Sequence, residues 1–174
     1  MTHAELVQRA GAWLKGQGCG LVFTEMVTSQ CETPDAIGWR NRGDESFLIE
    51  CKASRSDFHA DKHKSFRSGI TPGMGRYRYY MCEPGIIKLE DLPPRWGLLY
   101  CHPKKVEFVA GKSPRNWDQS LAAAFMHEPD QRGEMRMLYS ALSRLRVDMG
   151  VAQFHARVHL PYTSRLKERQ AAAA

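Results

Sequence analysis

Apolar residues in the first sixteen positions recur at mixed three- and four-residue spacings: Ala4, Leu6, Val7, Ala10, Ala12, Trp13 and Leu14, with Gly16, Gly18 and Gly20 behind them. That spacing predicts an amphipathic helix over 3–16 punctuated by glycine. Residues 20–27 turn apolar and β-branched, which predicts a strand. Residues 34–40 and 46–52 predict two further strands, joined through Asn41-Arg42-Gly43-Asp44-Glu45, a glycine-containing connection of the kind that closes hairpins. The polar stretch 54–66 suits a helix opened by Ser54 or Ser56 as N-cap. Gly69, Pro72, Gly73 and Gly75 make 68–75 a loop. Strands follow at 77–82, 96–101 and 105–109, then a helical pattern over 118–149; beyond 151 the pattern assigns nothing. Helix, strand, hairpin, helix, strands, helices is the order of an α+β domain around a central sheet. We divide it into a core over 1–117 and a helical extension of the same domain over 118–174.

Composition supports a packed fold. The chain has 174 residues, 43% of them hydrophobic, and a mean hydropathy of -0.49, enough apolar material for a core. No apolar run reaches the length of a membrane span, and residues 1–5 lack the basic and apolar regions of a signal peptide, so the expected location is the cytoplasm. Five cysteines, at 19, 31, 51, 82 and 101, form no CxxC pair. They read as reduced thiols, with no zinc-knuckle spacing among them. Lys and Arg number 25 against 19 Asp and Glu, a net charge of +6, which hints at a polyanionic partner once its location is known.

The chemistry-bearing stretch is Pro34-Asp35 followed, after fourteen residues, by Glu50-Cys51-Lys52. On a strand Phe47, Ile49 and Cys51 face one way and Leu48, Glu50 and Lys52 the other. A hairpin symmetric about Arg42-Gly43 pairs Trp39 with Ser46, Ile37 with Leu48 and Asp35 with Glu50. Directly opposed Cβ atoms lie roughly 4.5–5.5 Å apart, and two carboxylates at that distance repel unless a cation sits between them. Mg²⁺ suits such a pair, since it takes one or two carboxylates together with waters and phosphate oxygens. A one-residue slip in register would abolish the arrangement. Lys52, on the face of Glu50, can orient an attacking water and stabilise charge building on a phosphate. The competing reading is a structural cross-strand ion pair.

These residues resemble the PD-(D/E)XK nuclease superfamily, whose restriction-endonuclease-like core is a helix, a sheet carrying this hairpin, and a following helix. The resemblance covers about residues 1–110. Ser54-Arg55-Ser56-Asp57-Phe58, the stretch from Gly73 to Tyr80, and Trp96-Gly97-Leu98-Leu99-Tyr100 look like small bacterial and prophage members, among them DNA-repair proteins of the MmcB kind. The resemblance implies a nuclease hydrolysing phosphodiester bonds in DNA, in repair or in phage DNA processing. Asp35 and Glu50 would be its metal ligands, the backbone carbonyl of Cys51 a further ligand, and Lys52 the catalytic lysine. The metal would be Mg²⁺, with Mn²⁺ able to substitute. Many members add an acidic residue from the first helix or the preceding strand. Here Glu5 and Glu25 are the candidates; Glu5 in a first helical turn is also expected on dipole grounds, so Glu25, flanked by Phe23 and Val27 on its own face, ranks ahead.

Residues 52–78 hold seven Lys and Arg against two Asp, +5 of the net charge. Interleaved Arg76-Tyr77-Arg78-Tyr79-Tyr80 suits phosphate contact and stacking, although on a strand Tyr77 and Tyr79 share one face and can be core. Arg55, Lys62, Arg76 and Arg78 are the expected DNA contacts, with Arg132, Arg136, Arg144 and Arg146 extending the basic surface, interrupted by Asp130, Glu134 and Asp148. Trp39 and Trp96 read as core, and His102 as structural or exposed. A one-site chain cutting duplex DNA would act as a homodimer. The alternatives from other classes are a non-catalytic nucleic-acid-binding or protein-interaction module on the same fold, and a prophage protein acting on a host partner.

Overall fold

The computed structural model describes residues 1–27, 32–61, 72–113, 118–159 and 171. Helix α1 (His3–Gly16) opens with a capping box in which Thr2 and Glu5 satisfy each other's end of the helix. Glu5 is thereby occupied as a capping residue, and its carboxyl is held below its ordinary range by the Thr2 backbone and hydroxyl. Strands β1 (Leu21–Thr24), β2 (Ala36–Arg40) and β3 (Glu45–Cys51) follow, then α2 (Arg55–Asp61), β4 (Tyr77–Cys82), β5 (Trp96–Cys101), β6 (Val106–Ala110), α3 (Gln119–Phe125), α4 (Gln131–Met149) and α5 (Val151–His159).

The six strands lie side by side in chain order. The β1–β2, β2–β3 and β5–β6 pairs are antiparallel, while β3–β4 and β4–β5 are parallel. This is an α+β fold. The β2–β3 ladder pairs Trp39 with Ser46 and Ile37 with Leu48, the register implied by symmetry about Arg42-Gly43. Its turn, Asn41–Gly43, runs through the left-handed region, with φ of 51°, 61° and 104° at Asn41, Arg42 and Gly43.

Three boundaries differ from the sequence reading, and the first two matter to the site. β1 stops at Thr24 because Glu25 takes φ 46°. Glu25 is therefore beyond the strand, and Val27, expected on its face, is exposed. β2 starts at Ala36 and β3 ends at Cys51, so Asp35 and Lys52 stand just outside the ladder ends. The helical stretch 118–149 is two helices, broken where Pro129 disfavours helix at the residue before it, and Val151–His159 forms α5.

The central strands β2–β5 are buried on both faces. Leu6, Val7, Ala10 and Leu14 of α1 pack with Phe47, Ile49, Cys51, Tyr77, Tyr79, Met81 and Leu99, which is the alternation expected for β3. On the opposite face Phe58 of α2 meets Tyr80 edge-on at 5.0 Å, and Tyr80 stacks on Trp96 at 4.3 Å. Trp39 and Trp96 are core, as expected. Cys19, Cys51, Cys82 and Cys101 are buried free thiols.

The chain forms two compact units, 1–134 and 135–174. The first extends past the expected boundary at 117 because α3 and the start of α4 are tied into it. Ala122 and Phe125 pack against the core. Glu134, buried, accepts hydrogen bonds from Trp39 Nε1 at 2.8 Å, Ser46 Oγ at 2.9 Å and the Gly75 N–H at 2.8 Å. No helix among the described residues is long and apolar enough to cross a membrane.

Candidate functional site

The site forms where β2 begins and β3 ends. Asp35 reaches across the end of the hairpin, and its Oδ2 accepts the Cys51 N–H at 2.7 Å. The Asp35 carbonyl accepts the Glu25 N–H at 3.1 Å. The antiparallel register therefore brings Asp35 to the Glu50-Cys51-Lys52 end of β3, where the sequence reading set it. Burial first, and then the neighbouring Glu50 carboxylate, push the Asp35 carboxyl up to about 6 against the opposing pull of the Cys51 N–H, His3 and Lys52. The Cys51 thiol is pushed up by burial and faces the α1 side, so it supplies packing.

Glu50 and Lys52 occupy the other face, each 3% exposed. Lys52 Nζ lies 3.4 Å from Glu50 Oε2 and 3.2 Å from Asp61 Oδ1. Burial alone would lower the Lys52 ammonium, but Glu50, then Asp61, outweigh it and hold Lys52 above its ordinary range. It is a charged donor at neutral pH, suited to stabilising a developing oxyanion and unsuited to taking a proton from water. Asp61 is in turn held by the Tyr80 hydroxyl, which donates to its Oδ2 at 3.0 Å.

Glu25 borders this set through His3. His3 Nε2 lies 3.6 Å from Glu25 Oε1 and 3.5 Å from Asp35 Oδ1, with the Glu25 side chain 58% exposed. Among the described residues no three His, Cys, Asp or Glu side chains converge as a ready metal cage. The donors present are two hard carboxylates, Asp35 and Glu50, whose mutual repulsion a cation would relieve. That set fits Mg²⁺, which commonly keeps several waters and takes only one or two carboxylates.

Of the four expected DNA contacts, Arg78 and Arg55 are already engaged within the protein. Arg78 is 6% exposed, and its guanidinium donates inward to the Gly75 carbonyl at 3.0 Å and the Gly73 carbonyl at 2.6 Å. It pins the loop before β4 and is not a surface residue; β4 is buried on both faces, so alternation did not mark a wet side. Arg55 forms a two-pronged pair with Asp91, both contacts at 2.8 Å, and caps the Ile86 carbonyl. Its charge is already matched. Arg76 is half-buried, and Lys62 lies outside the described residues. His102, partly exposed, pairs with Glu107 at 2.7 Å.

His3 and Asp61 were not singled out from sequence, and Tyr80, read there as part of a stacking stretch, is buried with its hydroxyl on Asp61. Asp61 had a signal: it stands three residues after Phe58, on the same helix face, and an acidic residue on a face that buries phenylalanine needs a partner. His3 had a weaker one, since the capping pair Thr2 and Glu5 makes it the first helical residue, at the end of α1 from which it reaches Asp35.

No protein-family model and no curated protein sequence matches the chain. The fold is similar to the solved structure of a protein of unknown function from Silicibacter pomeroyi, with a TM-score of 0.58 and 20% sequence identity over 84% of this chain and 90% of that one.

Proposed function

We propose that the protein is a divalent-metal-dependent nuclease of the PD-(D/E)XK kind, hydrolysing phosphodiester bonds in DNA. The observation that carries this reading is the hairpin register, which sets Asp35 against the end of β3 while Lys52 Nζ stays 3.4 Å from Glu50. The element order, a helix, a sheet with this hairpin and a following helix, is in keeping with it.

Asp35 and Glu50 would hold Mg²⁺, or Mn²⁺ in its place; the bound ion would act as a Lewis acid on the scissile phosphate. Lys52 donates to the phosphate oxygens as charge builds on them. A water oxygen attacks phosphorus, the bond from phosphorus to the leaving sugar oxygen breaks, the water's proton passes to solvent, and the leaving oxygen takes a proton from solvent. The four buried free thiols among the described residues are in keeping with a cytoplasmic location, and a duplex substrate would call for a homodimer.

The second reading is a non-catalytic nucleic-acid-binding module. It is favoured by the ion pairs that already hold Lys52. Cleavage separates the two. Fluorescent duplex and single-stranded oligodeoxynucleotides are incubated with Mg²⁺ or Mn²⁺ and wild type, Asp35→Ala or Lys52→Ala. The nuclease reading expects products from wild type only, with loss in both variants of about 100-fold or more. Binding without cleavage by wild type under either metal establishes the second reading.

A further inference from the structure

Behind the acid–lysine motif lies a second buried carboxylate that the motif does not require. Asp61, the last described residue of α2, is 1% exposed. One oxygen lies 3.2 Å from Lys52 Nζ and the other accepts the Tyr80 hydroxyl. Tyr80 comes from the centre of the sheet and is itself immobilised between Trp96 and Phe58. Lys52, Asp61 and Tyr80 thus bring three separate parts of the chain to one point.

An ion pair with Glu50, two residues away, would already give Lys52 a counter-charge. Adding a second carboxylate from another element costs desolvation that an apolar side chain at 61 would avoid. What Asp61 adds is direction. An ammonium on a four-carbon stem turns freely about its last bonds; two carboxylates on different elements fix its position. Of its three N–H donors, one is bonded to Glu50, and the ion pair with Asp61 holds the ammonium from a second side, which leaves a donor for a phosphate oxygen.

We propose that Asp61 is a positioning residue for Lys52, with Tyr80 fixing Asp61 in turn. The kinetic consequence rests on the nuclease reading; the consequence for the Lys52 side chain does not.

The test uses the full chain and three variants. Asp61→Asn keeps the shape and removes the charge, Asp61→Glu restores the charge, and Tyr80→Phe removes only the hydroxyl. Lys52 is probed by amine acetylation read by mass spectrometry, with exposed Lys104 and Lys105 as internal references. Expected is a Lys52 that labels slowly in wild type and about 5-fold faster in Asp61→Asn, with smaller gains in Tyr80→Phe and unchanged references, since an ion pair is lost without unfolding. On cleaved DNA, kcat falls about 10–100-fold in Asp61→Asn with KM within about 2-fold, and Asp61→Glu recovers part of it, as expected of lost preorganisation. Unchanged Lys52 labelling in the variants overturns the proposal, as does a loss confined to KM. If Asp61→Asn fails to fold, Tyr80→Phe decides alone. If wild type cuts no DNA, the nuclease reading fails while the labelling result still decides the role of Asp61.

Discussion

Asp35 carries a charge that its surroundings do not favour. With the carboxyl raised to about 6 by burial and by Glu50, the folded state binds its proton more tightly than the unfolded chain. By linkage the stabilisation from that proton is present below about pH 4 and is lost as pH rises through about 6. Asp35→Asn keeps the acceptor for the Cys51 N–H and removes the charge. In EDTA near pH 7.5 it should therefore be more stable than wild type by about 1–3 kcal/mol, with the difference vanishing near pH 4. Thermal denaturation at the two pH values checks this, and added Mg²⁺ should raise the wild-type midpoint and close the gap. Lys52 has the opposite sign. Lys52→Met leaves Glu50 and Asp61 facing each other in the interior and should cost about 3–5 kcal/mol by urea denaturation. Combining it with Asp61→Leu should cost less than the sum of the two single changes.

The hairpin is the element most legible in the sequence. Gly43 and its polar neighbours locate the turn, the alternation from Phe47 to Cys51 sets the faces, and together they fix the pairing of Trp39 with Ser46. Asp35, Glu50 and Lys52 come together for that reason. Arg78 shows where legibility ends: on a strand covered on both sides, a basic residue looks the same in sequence whether it meets solvent or two backbone carbonyls. Asp61 was half legible, because its face could be read from Phe58 but its partner, Lys52, comes from another element. The loop entering β4 makes its own prediction. Gly75 has φ 83°, and a Cβ there would stand 2.5 Å from the Leu48 Cβ. Gly75→Ala combines a left-handed backbone with a side-chain clash against β3 and should destabilise by about 2–4 kcal/mol in chemical denaturation.

Across the whole molecule the excess charge has two homes. Residues 135–174 carry seven Lys and Arg against two Asp and Glu, the same balance as 52–78. In the earlier segment Lys52 and Arg78 are buried and Arg55 is paired with Asp91, whereas Arg136, Arg144 and Arg146 on α4 are exposed. Polyanion contact is therefore expected to draw on α4 more than the sequence reading gave it. Replacing those three arginines by glutamine should lower the slope of log affinity against log salt by about 2–3 for duplex DNA, measured by fluorescence anisotropy; an unchanged slope removes α4 from the interface. Net charge bears on encounter only, and chemistry depends on whether Asp35 and Glu50 share a cation. Anomalous diffraction from crystals soaked in Mn²⁺ measures that directly. One peak in contact with carboxylate oxygens of both residues, lost in Asp35→Ala, is the expected result; well-diffracting crystals with no peak there, or with Mn²⁺ bound only elsewhere, contradict a shared cation site.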